Sequence, residues 1–210
     1  MMLRQVISNQ RNGSTFACKM ISKEPGWTLP PNLEFFSDSW TIDPIEFIPG
    51  RKDARPNRIK KVEKLNWLIH QKQKYFHHPI KITLTDLEHS LTEKYLEWLH
   101  GYKLLHIIRD PFDRFISRAY ADKTGWKYEH IHRPTEKVTI DFWDFYHWKE
   151  NEDFLQPKLE TILSLHGNYE LVPYEALGTY FDSTEFWSDL AYSDLVNNYH
   201  ELREMITPLV

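Results

Sequence analysis

The chain has 210 residues, 41% of them hydrophobic and 27% charged, a length that suits one domain with its own core. A formal charge of −4 argues against a nucleic-acid binder that works by bulk positive charge. The single cysteine, Cys18, excludes an internal disulfide framework and a metal site built from several cysteines. The longest apolar candidate, Leu104–Ile108, is too short to span a membrane, and the first residues lack a signal-peptide core. We therefore predict a single soluble domain over residues 1–210, located in the cytoplasm.

The chain begins with the pattern of a βα unit. Leu3–Ser8 is a predicted strand, a turn of polar and small residues follows at 11–15, and Phe16–Ile21 is a predicted helix. A strand that runs through a short turn into a helix is the repeating unit of α/β sheets.

The turn itself has the composition of an anion site. Gly13 allows close backbone approach, and the first N–H groups of the following helix face any bound anion. Ser14 and Thr15 add hydroxyl donors, and Arg11 adds a permanent positive charge. The turn lacks the spacing of a nucleotide-triphosphatase P-loop, which disfavours that class. An ordinary strand-to-helix turn is the alternative.

The middle of the chain contains two further strands. Five prolines make Glu24–Gly50 irregular, and apolar spacing predicts a helix over Asn57–Lys74. Alternation and β-branching predict a strand at Ile80–Thr85. Ser90-Leu91-Thr92-Glu93 has the spacing of a capping box, and the helix that it opens is expected to end at Gly101.

The strand Lys103–Arg109 is nearly all apolar, as a central parallel strand should be. Asp110 is then the predicted N-cap of a helix with Pro111 in its first turn. The buried stripe of this helix is predicted to comprise Phe112, Phe115, Ile116 and Ala119.

Two more predicted helices, Ile140–Trp148 and Leu155–His166, precede a fourth strand at Tyr169–Val172. Alternating strands and helices predict a three-layer α/β/α fold around a central, mostly parallel sheet. Ligands of such sheets bind beyond the carboxyl ends of the strands.

Arg109 and Ser117 form a second candidate anion site. Arg109 ends a strand, and Ser117 lies two turns into the next helix, so both side chains can face one crevice. In the alternative interpretation Arg109 pairs with Asp113, and Ser117 fills a packing gap.

The run from Arg109 to Lys123, Arg-Asp-Pro-Phe-Asp-Arg-Phe-Ile-Ser-Arg-Ala-Tyr-Ala-Asp-Lys, resembles a segment of carbohydrate sulfotransferases. In that family the segment holds the 3′-phosphate of the sulfate donor, 3′-phosphoadenosine 5′-phosphosulfate (PAPS). The turn Arg11–Thr15 is similar to the family's 5′-phosphosulfate loop, in which Lys often stands where this chain has Arg11. His147-Trp148 and the run Tyr169–Leu177 resemble landmarks late in the family's domain.

The resemblance implies a P-loop-NTPase-like sulfotransferase fold and a PAPS-dependent O-sulfotransferase whose acceptor hydroxyl belongs to a carbohydrate. Arg11 would lie beside the transferring sulfonate, while the 5′-phosphate would be held by Asn12, Gly13, Ser14 and Thr15. In the same scheme Arg109 and Ser117 anchor the 3′-phosphate, no metal is required, and the partner is a glycan rather than a nucleic acid. A phosphoryl-transfer enzyme of related, kinase-like fold and a non-catalytic nucleotide-binding protein are the alternatives.

The resemblance places the general base near the end of the second predicted strand, before the helix that precedes Lys103. Three residues there are candidates: Asp86 aligns best, His89 has the most suitable ordinary pKa, and Glu88 is the third. For each of the three, a surface residue of a strand-to-helix loop is the favoured alternative.

Acceptor specificity in such folds lies in loops, here the predicted acceptor-binding segment 24–64 and the stretch Gly125–Thr139. The centre of the chain is also rich in aromatic residues, which either stack on sugar rings or pack in the core. They are Trp126, Tyr128, Trp143, Phe145, Tyr146 and Trp148.

Overall fold

The computed structural model describes residues 4–9, 11–24, 61–70, 80–83, 87–125, 135–184 and 191–209, and of His89 only the backbone. Within these ranges the strands and α-helices, in chain order, are β1 (Arg4–Ser8), α1 (Ser14–Ser22), α2 (Lys61–His70), β2 (Lys81–Thr83), α3 (Thr92–Leu99), β3 (Lys103–Ile108), α4 (Pro111–Thr124), α5 (Phe142–His166), β4 (Tyr169–Pro173), α6 (Leu177–Tyr180), α7 (Tyr192–Leu195) and α8 (Tyr199–Ile206).

The strands form a four-stranded sheet in the order β2-β1-β3-β4. β1 pairs in parallel with both neighbours, and Ile7 lies opposite Ile82 on one side and His106 on the other. Because β1 is followed in the chain by helices before either neighbour is reached, each parallel pairing needs a crossover. The predicted mostly parallel α/β sheet is confirmed.

Helices cover both faces of this sheet. On one face Ile7, Ile82 and Leu104 pack in a buried apolar cluster with residues of α2, α3 and the second half of α5. Since successive strand residues point to opposite faces, Lys81 faces the other way, where its Nζ lies 3.3 Å from Thr15 Oγ1 of α1. The three layers, helix, sheet and helix, are therefore as predicted.

The chain divides into two compact units, each with its own core. The first consists of the described residues of Met1–Ile108 and Leu155–Val172, and it contains the sheet. The second consists of Arg109–Phe154 and Pro173–Val210. The prediction of one domain over residues 1–210 stays a prediction.

The core of the second unit is built on α4. The four residues of its predicted stripe, Phe112, Phe115, Ile116 and Ala119, are all buried in one cluster. Phe145 of α5 stands edge-on to Phe115, with ring centroids 5.3 Å apart, and residues of α7 and α8 complete the cluster. The stripe prediction is confirmed.

Two predictions about helix ends hold, and one fails. Asp110 caps α4 by accepting a hydrogen bond from the Asp113 N–H at 3.1 Å, and Gly101 has the left-handed φ of 87° expected after α3. The capping box at Ser90 is wrong: α3 has Leu91 as its N-cap, with no side-chain capping bond. Ser90 instead lies within a 3₁₀ turn, His89–Leu91, which removes it from the capping position.

The separation of Ile140–Trp148 from Leu155–His166 is also wrong, because α5 is one continuous helix. The residues between the two predictions are polar except for the exposed Phe154, and an exposed helix face needs no apolar periodicity. Lys149 and Asp153, one turn apart, form an ion pair of 2.6 Å on this stretch.

Parts of two other predictions lie outside the described residues. The helix predicted over Asn57–Lys74 is seen as α2, and the strand predicted over Ile80–Thr85 is seen as β2. The predicted acceptor-binding segment 24–64 is described only at Glu24 and at 61–64. Within the described part of the chain, no helix combines the length and the apolar character that crossing a membrane requires.

Candidate functional site

The turn between β1 and α1 is fastened to the neighbouring strand by Asn12. Its Nδ2 donates to the carbonyl oxygen of Ile107 at 2.7 Å, and the residue is 2% exposed. Ile107 lies near the carboxyl end of β3, which is the edge at which ligands of parallel sheets bind. The buried Oδ1 of Asn12 has no hydrogen-bond partner among the described residues. An acceptor in that position suits a ligand that brings a donor or a bound water.

The backbone of this turn is left-handed at two positions. Gly13, the N-cap of α1, has φ 72°, and Arg11 has φ 67°. A residue with a Cβ pays about 1–2 kcal/mol for that conformation. Such outliers are concentrated at binding and catalytic sites, where the surrounding structure enforces them. The backbone of Arg11 is therefore held in an unfavourable conformation, as is typical of residues at functional sites.

Gly13 opens α1 without a side-chain cap. Its carbonyl accepts the first helical hydrogen bond, from the Ala17 N–H at 3.0 Å. The N–H groups of the first helical residues, Ser14 and Thr15, have no acceptor within the helix, and they carry the positive end of its dipole. The turn therefore offers a concentration of donors with which an anion can be bound.

Lys81 brings a second cation to the same turn. Its Nζ lies within hydrogen-bond distance of Thr15 Oγ1, although the residue is only 8% exposed. Burial raises the pKa of the Cys18 thiol to about 12, and the charge of Lys81 opposes that rise, which places the ammonium close to α1. Sequence reasoning missed Lys81. A lysine between two isoleucines of a buried strand was the available signal.

Arg109 follows β3 directly and is held by an aromatic ring. Its guanidinium carbon lies 3.9 Å from the centroid of the Tyr174 ring, a close cation–π contact. Burial raises the pKa of the Tyr174 hydroxyl, and the Arg109 charge acts in the opposite direction. Asp113 forms an ion pair with Arg203 at 3.3 Å, and the charge of Arg109 also lowers the pKa of Asp113, which burial raises. The alternative pairing of Arg109 with Asp113 therefore stays open.

Ser117 lies in the middle of α4 and is 2% exposed. Its Oγ accepts a hydrogen bond from the hydroxyl of Tyr192 at 2.9 Å. The hydrogen of the serine hydroxyl has no acceptor among the residues that the structure describes. Ser117 therefore retains a donor. Neither Tyr174 nor Tyr192 was found by sequence reasoning, because each contact joins residues that are more than 60 positions apart.

The three candidate bases fare unequally. Glu88 is exposed, with 48% of its side chain accessible, and it faces Lys61 at 3.6 Å. Asp86 lies outside the described residues, and of His89 only the backbone, in its 3₁₀ turn, is described. The choice among them stays open.

The aromatic residues at the centre of the chain divide into two groups. Phe145 is 1% exposed, and Trp148 packs beside it with ring centroids 5.9 Å apart, so these two belong to the core. Trp143 and Tyr146 are 66% and 39% exposed, and their ring centroids are 5.3 Å apart. Trp126 and Tyr128 lie outside the described residues. Trp143 and Tyr146 are therefore accessible for stacking on a ligand.

Among the described residues there is no group of three or more His, Cys, Asp or Glu side chains arranged to hold a metal ion. At the β1–α1 turn the positive charges are those of Arg11 and Lys81. At the start of α4, Arg109 and Arg203 lie close to the carboxyl groups of Asp110 and Asp113.

Comparison with known proteins identifies a family. The sequence model of the sulfotransferase family matches residues 32–185, which is well over half of the chain. The matched range includes Arg109 and Ser117 and begins after the turn that contains Arg11. No curated protein and no solved structure matches the chain.

Proposed function

Because the chain belongs to the sulfotransferase family, we propose that it transfers a sulfuryl group from PAPS to a hydroxyl of a carbohydrate. The observation that carries this proposal is the segment of Arg109 and Ser117, which combines a fixed guanidinium with a buried hydroxyl donor. A phosphate dianion is bound best by such charge-assisted hydrogen bonds.

We assign the 5′ end of the donor to the turn between β1 and α1. The N–H groups at the start of α1, with the hydroxyls of Ser14 and Thr15, would bind the 5′-phosphate. Arg11 would lie beside the sulfonate, with Lys81 supplying a second positive charge next to Thr15. The left-handed Arg11 and the tethered Asn12 support this assignment, because they fix the turn in advance of binding.

In the transfer, a sulfur–oxygen bond to the acceptor forms as the sulfur–oxygen bond to the 5′-phosphate breaks. The proton of the acceptor hydroxyl passes to a general base, and 3′-phosphoadenosine 5′-phosphate is released. The demands resemble those of phosphoryl transfer, namely alignment and stabilisation of developing negative charge. Arg11 would stabilise that charge on the bridging oxygen, while Arg109 and Ser117 hold the donor in place.

The proposed carbohydrate acceptor draws support from the exposed pair Trp143 and Tyr146. Aromatic rings with one face in water are suited to contact the apolar C–H face of a sugar, while their N–H or O–H groups reach polar partners. Transfer of labelled sulfate to a glycan panel tests this part of the proposal. A Trp143→Ala variant should raise KM for the acceptor while the affinity for the donor product stays unchanged.

The donor assignment is tested by calorimetry with 3′-phosphoadenosine 5′-phosphate. Arg109→Ala should weaken its binding by about 10–100-fold, since a hydrogen bond to a charged group contributes about 1.5–3 kcal/mol. Arg118→Ala is the matched control, because Arg118 lies on the exposed side of α4 and pairs with Asp122 at 2.7 Å. Equal affinities of the two variants would overturn the assignment.

The same titrations separate the alternative functions. Tighter binding of ATP with Mg²⁺ than of 3′-phosphoadenosine 5′-phosphate would favour a phosphoryl-transfer enzyme. Tight binding of the bisphosphate without sulfate transfer to any acceptor would favour a non-catalytic nucleotide-binding protein.

A further inference from the structure

We propose that Tyr174 and Tyr192 are positioning residues for the 3′-phosphate site, Tyr174 by orienting Arg109 and Tyr192 by orienting the hydroxyl of Ser117. The inference rests on the proposed function, because it assigns to these two tyrosines the geometry of a site that would bind the donor. All four residues belong to the second compact unit.

The first pair works through the face of a ring. The guanidinium carbon of Arg109 lies 3.9 Å from the centroid of Tyr174, so the cation lies against the ring. This carbon is the centre of the guanidinium, so the ring holds the middle of the charged group and limits the positions that its N–H donors can take. A phosphate that reaches Arg109 then meets donors whose positions are already restricted. Tyr174 is the first residue of the 3₁₀ turn Tyr174–Ala176, which follows β4.

The second pair works through the direction of a hydrogen bond. A phosphate dianion only accepts hydrogen bonds, so Ser117 must donate to it. The Tyr192 hydroxyl donates to Ser117 Oγ at 2.9 Å, which leaves the serine hydrogen for an acceptor beyond it. Hydrogen bonds in such a chain polarise one another, because the serine becomes a better donor when its oxygen accepts. Tyr192 is only 8% exposed, and its ring stands edge-on to Tyr120, which limits its motion.

Burial raises the pKa of the Tyr174 hydroxyl above its ordinary value of 10, and the charge of Arg109 lowers it. An ordinary tyrosine is already neutral at pH 7, so Tyr174 presents a neutral ring to the cation.

The test compares two ligands, 3′-phosphoadenosine 5′-phosphate and adenosine 5′-phosphate, in calorimetric titrations of the full chain. The ratio of their affinities measures the contribution of the 3′-phosphate alone. Tyr192→Phe removes one hydroxyl and should reduce this ratio by about 3–10-fold, the value of one neutral hydrogen bond. Tyr174→Leu should reduce it by about 10-fold, whereas Tyr174→Phe keeps a ring face and should retain most of it. Tyr169→Phe, at the exposed start of β4, is the control and should leave the ratio unchanged.

The outcomes separate the inference from the proposed function. If the wild-type chain binds both ligands equally, the 3′-phosphate site itself is wrong. If the wild type prefers the bisphosphate and both Tyr192→Phe and Tyr174→Leu keep that preference in full, the positioning role is wrong. An equal loss of affinity for both ligands would reveal a merely structural effect, and it would overturn the inference as well. Retention of the ratio by Tyr174→Phe, together with its loss in Tyr174→Leu, supports it.

Discussion

Replacing Arg11 by glycine and by alanine separates the conformational role of this position from its chemical one. Arg11 has φ 67°, a left-handed conformation that glycine adopts freely and alanine does not. Both substitutions remove the guanidinium and all of its contacts, so the two variants differ by a single methyl group. Any difference in stability between them therefore reports on the backbone.

The expected difference can be worked out from the backbone angle. The Cβ of alanine costs about 1–2 kcal/mol in the left-handed region, and glycine loses about 0.5–1 kcal/mol more conformational entropy on folding. The glycine variant should thus be the more stable of the two by about 1 kcal/mol. In a protein of this size that corresponds to roughly 2–4 °C in Tm.

Denaturant unfolding of the two variants gives the stability difference, and sulfate transfer gives the activity. Both variants should lose about 10²–10³-fold in kcat, because the loss follows the charge rather than the backbone. Arg11→Lys, which keeps a positive charge, should retain more activity than either. An alanine variant as stable as the glycine variant would refute the argument from backbone strain.

Three further results are expected. Burial raises the pKa of Asp113 above its ordinary value of 3.8, so the folded state favours the protonated carboxyl. This contribution to stability is fully present below pH 3.8 and is lost as the pH rises through the folded-state pKa. Above pH 3.8, Asp113→Asn should therefore gain in stability relative to the wild type, as followed by urea unfolding at a series of pH values. Arg114 and Glu152 form a buried ion pair, so Arg114→Met should cost about 3–5 kcal/mol, whereas Arg114→Met combined with Glu152→Leu should regain most of it; no recovery in the double variant would contradict this. Cys18 is fully buried and its pKa is raised to about 12, so a thiol reagent at pH 8 should label the native chain far more slowly than the unfolded chain, and labelling at the unfolded rate would contradict the described packing of α1.

The features that sequence reasoning predicted correctly are those set by neighbouring residues. Asp110 and Pro111 define the start of α4 wherever the helix is placed, because capping involves only the first turn. The strand at Arg4–Ser8 and the helix after it follow from a run of β-branched and apolar residues and a glycine turn. Local rules were sufficient for the order of the four strands.

The capping box at Ser90 failed because two local structures compete for the same residues. A 3₁₀ turn at His89–Leu91 precedes α3, and this shifts the first helical residue to Thr92. The pattern Ser-x-x-Glu does not determine whether a 3₁₀ turn or the first turn of an α-helix forms at Ser90. The continuity of α5 was missed for a different reason. Its middle is mostly polar, and ion pairs support the helix there, Lys149 with Asp153 on the surface and Glu152 with Arg114 in the interior.

The parts of the candidate site that sequence reasoning missed depend on residues far apart in the chain. Tyr174 meets Arg109, and Tyr192 meets Ser117, only once the fold is complete. Lys81 reaches Thr15 because β2 lies beside β1. The sequence predicts both strands, but it does not predict that they are neighbours in the sheet. The residue types of the anion-binding segments were predictable, whereas the side chains that support them were not.

The side-chain amide of Asn12 has a kinetic consequence. Its bond to the Ile107 carbonyl ties the β1–α1 turn to a central strand, so the turn gives up its freedom of movement when the protein folds. A ligand that arrives later does not have to order this part of the chain, and its association rate should be limited by diffusion and charge attraction rather than by loop closure. Raising the ionic strength should then slow association markedly. Raising the solvent viscosity should slow association in proportion to the increase in viscosity.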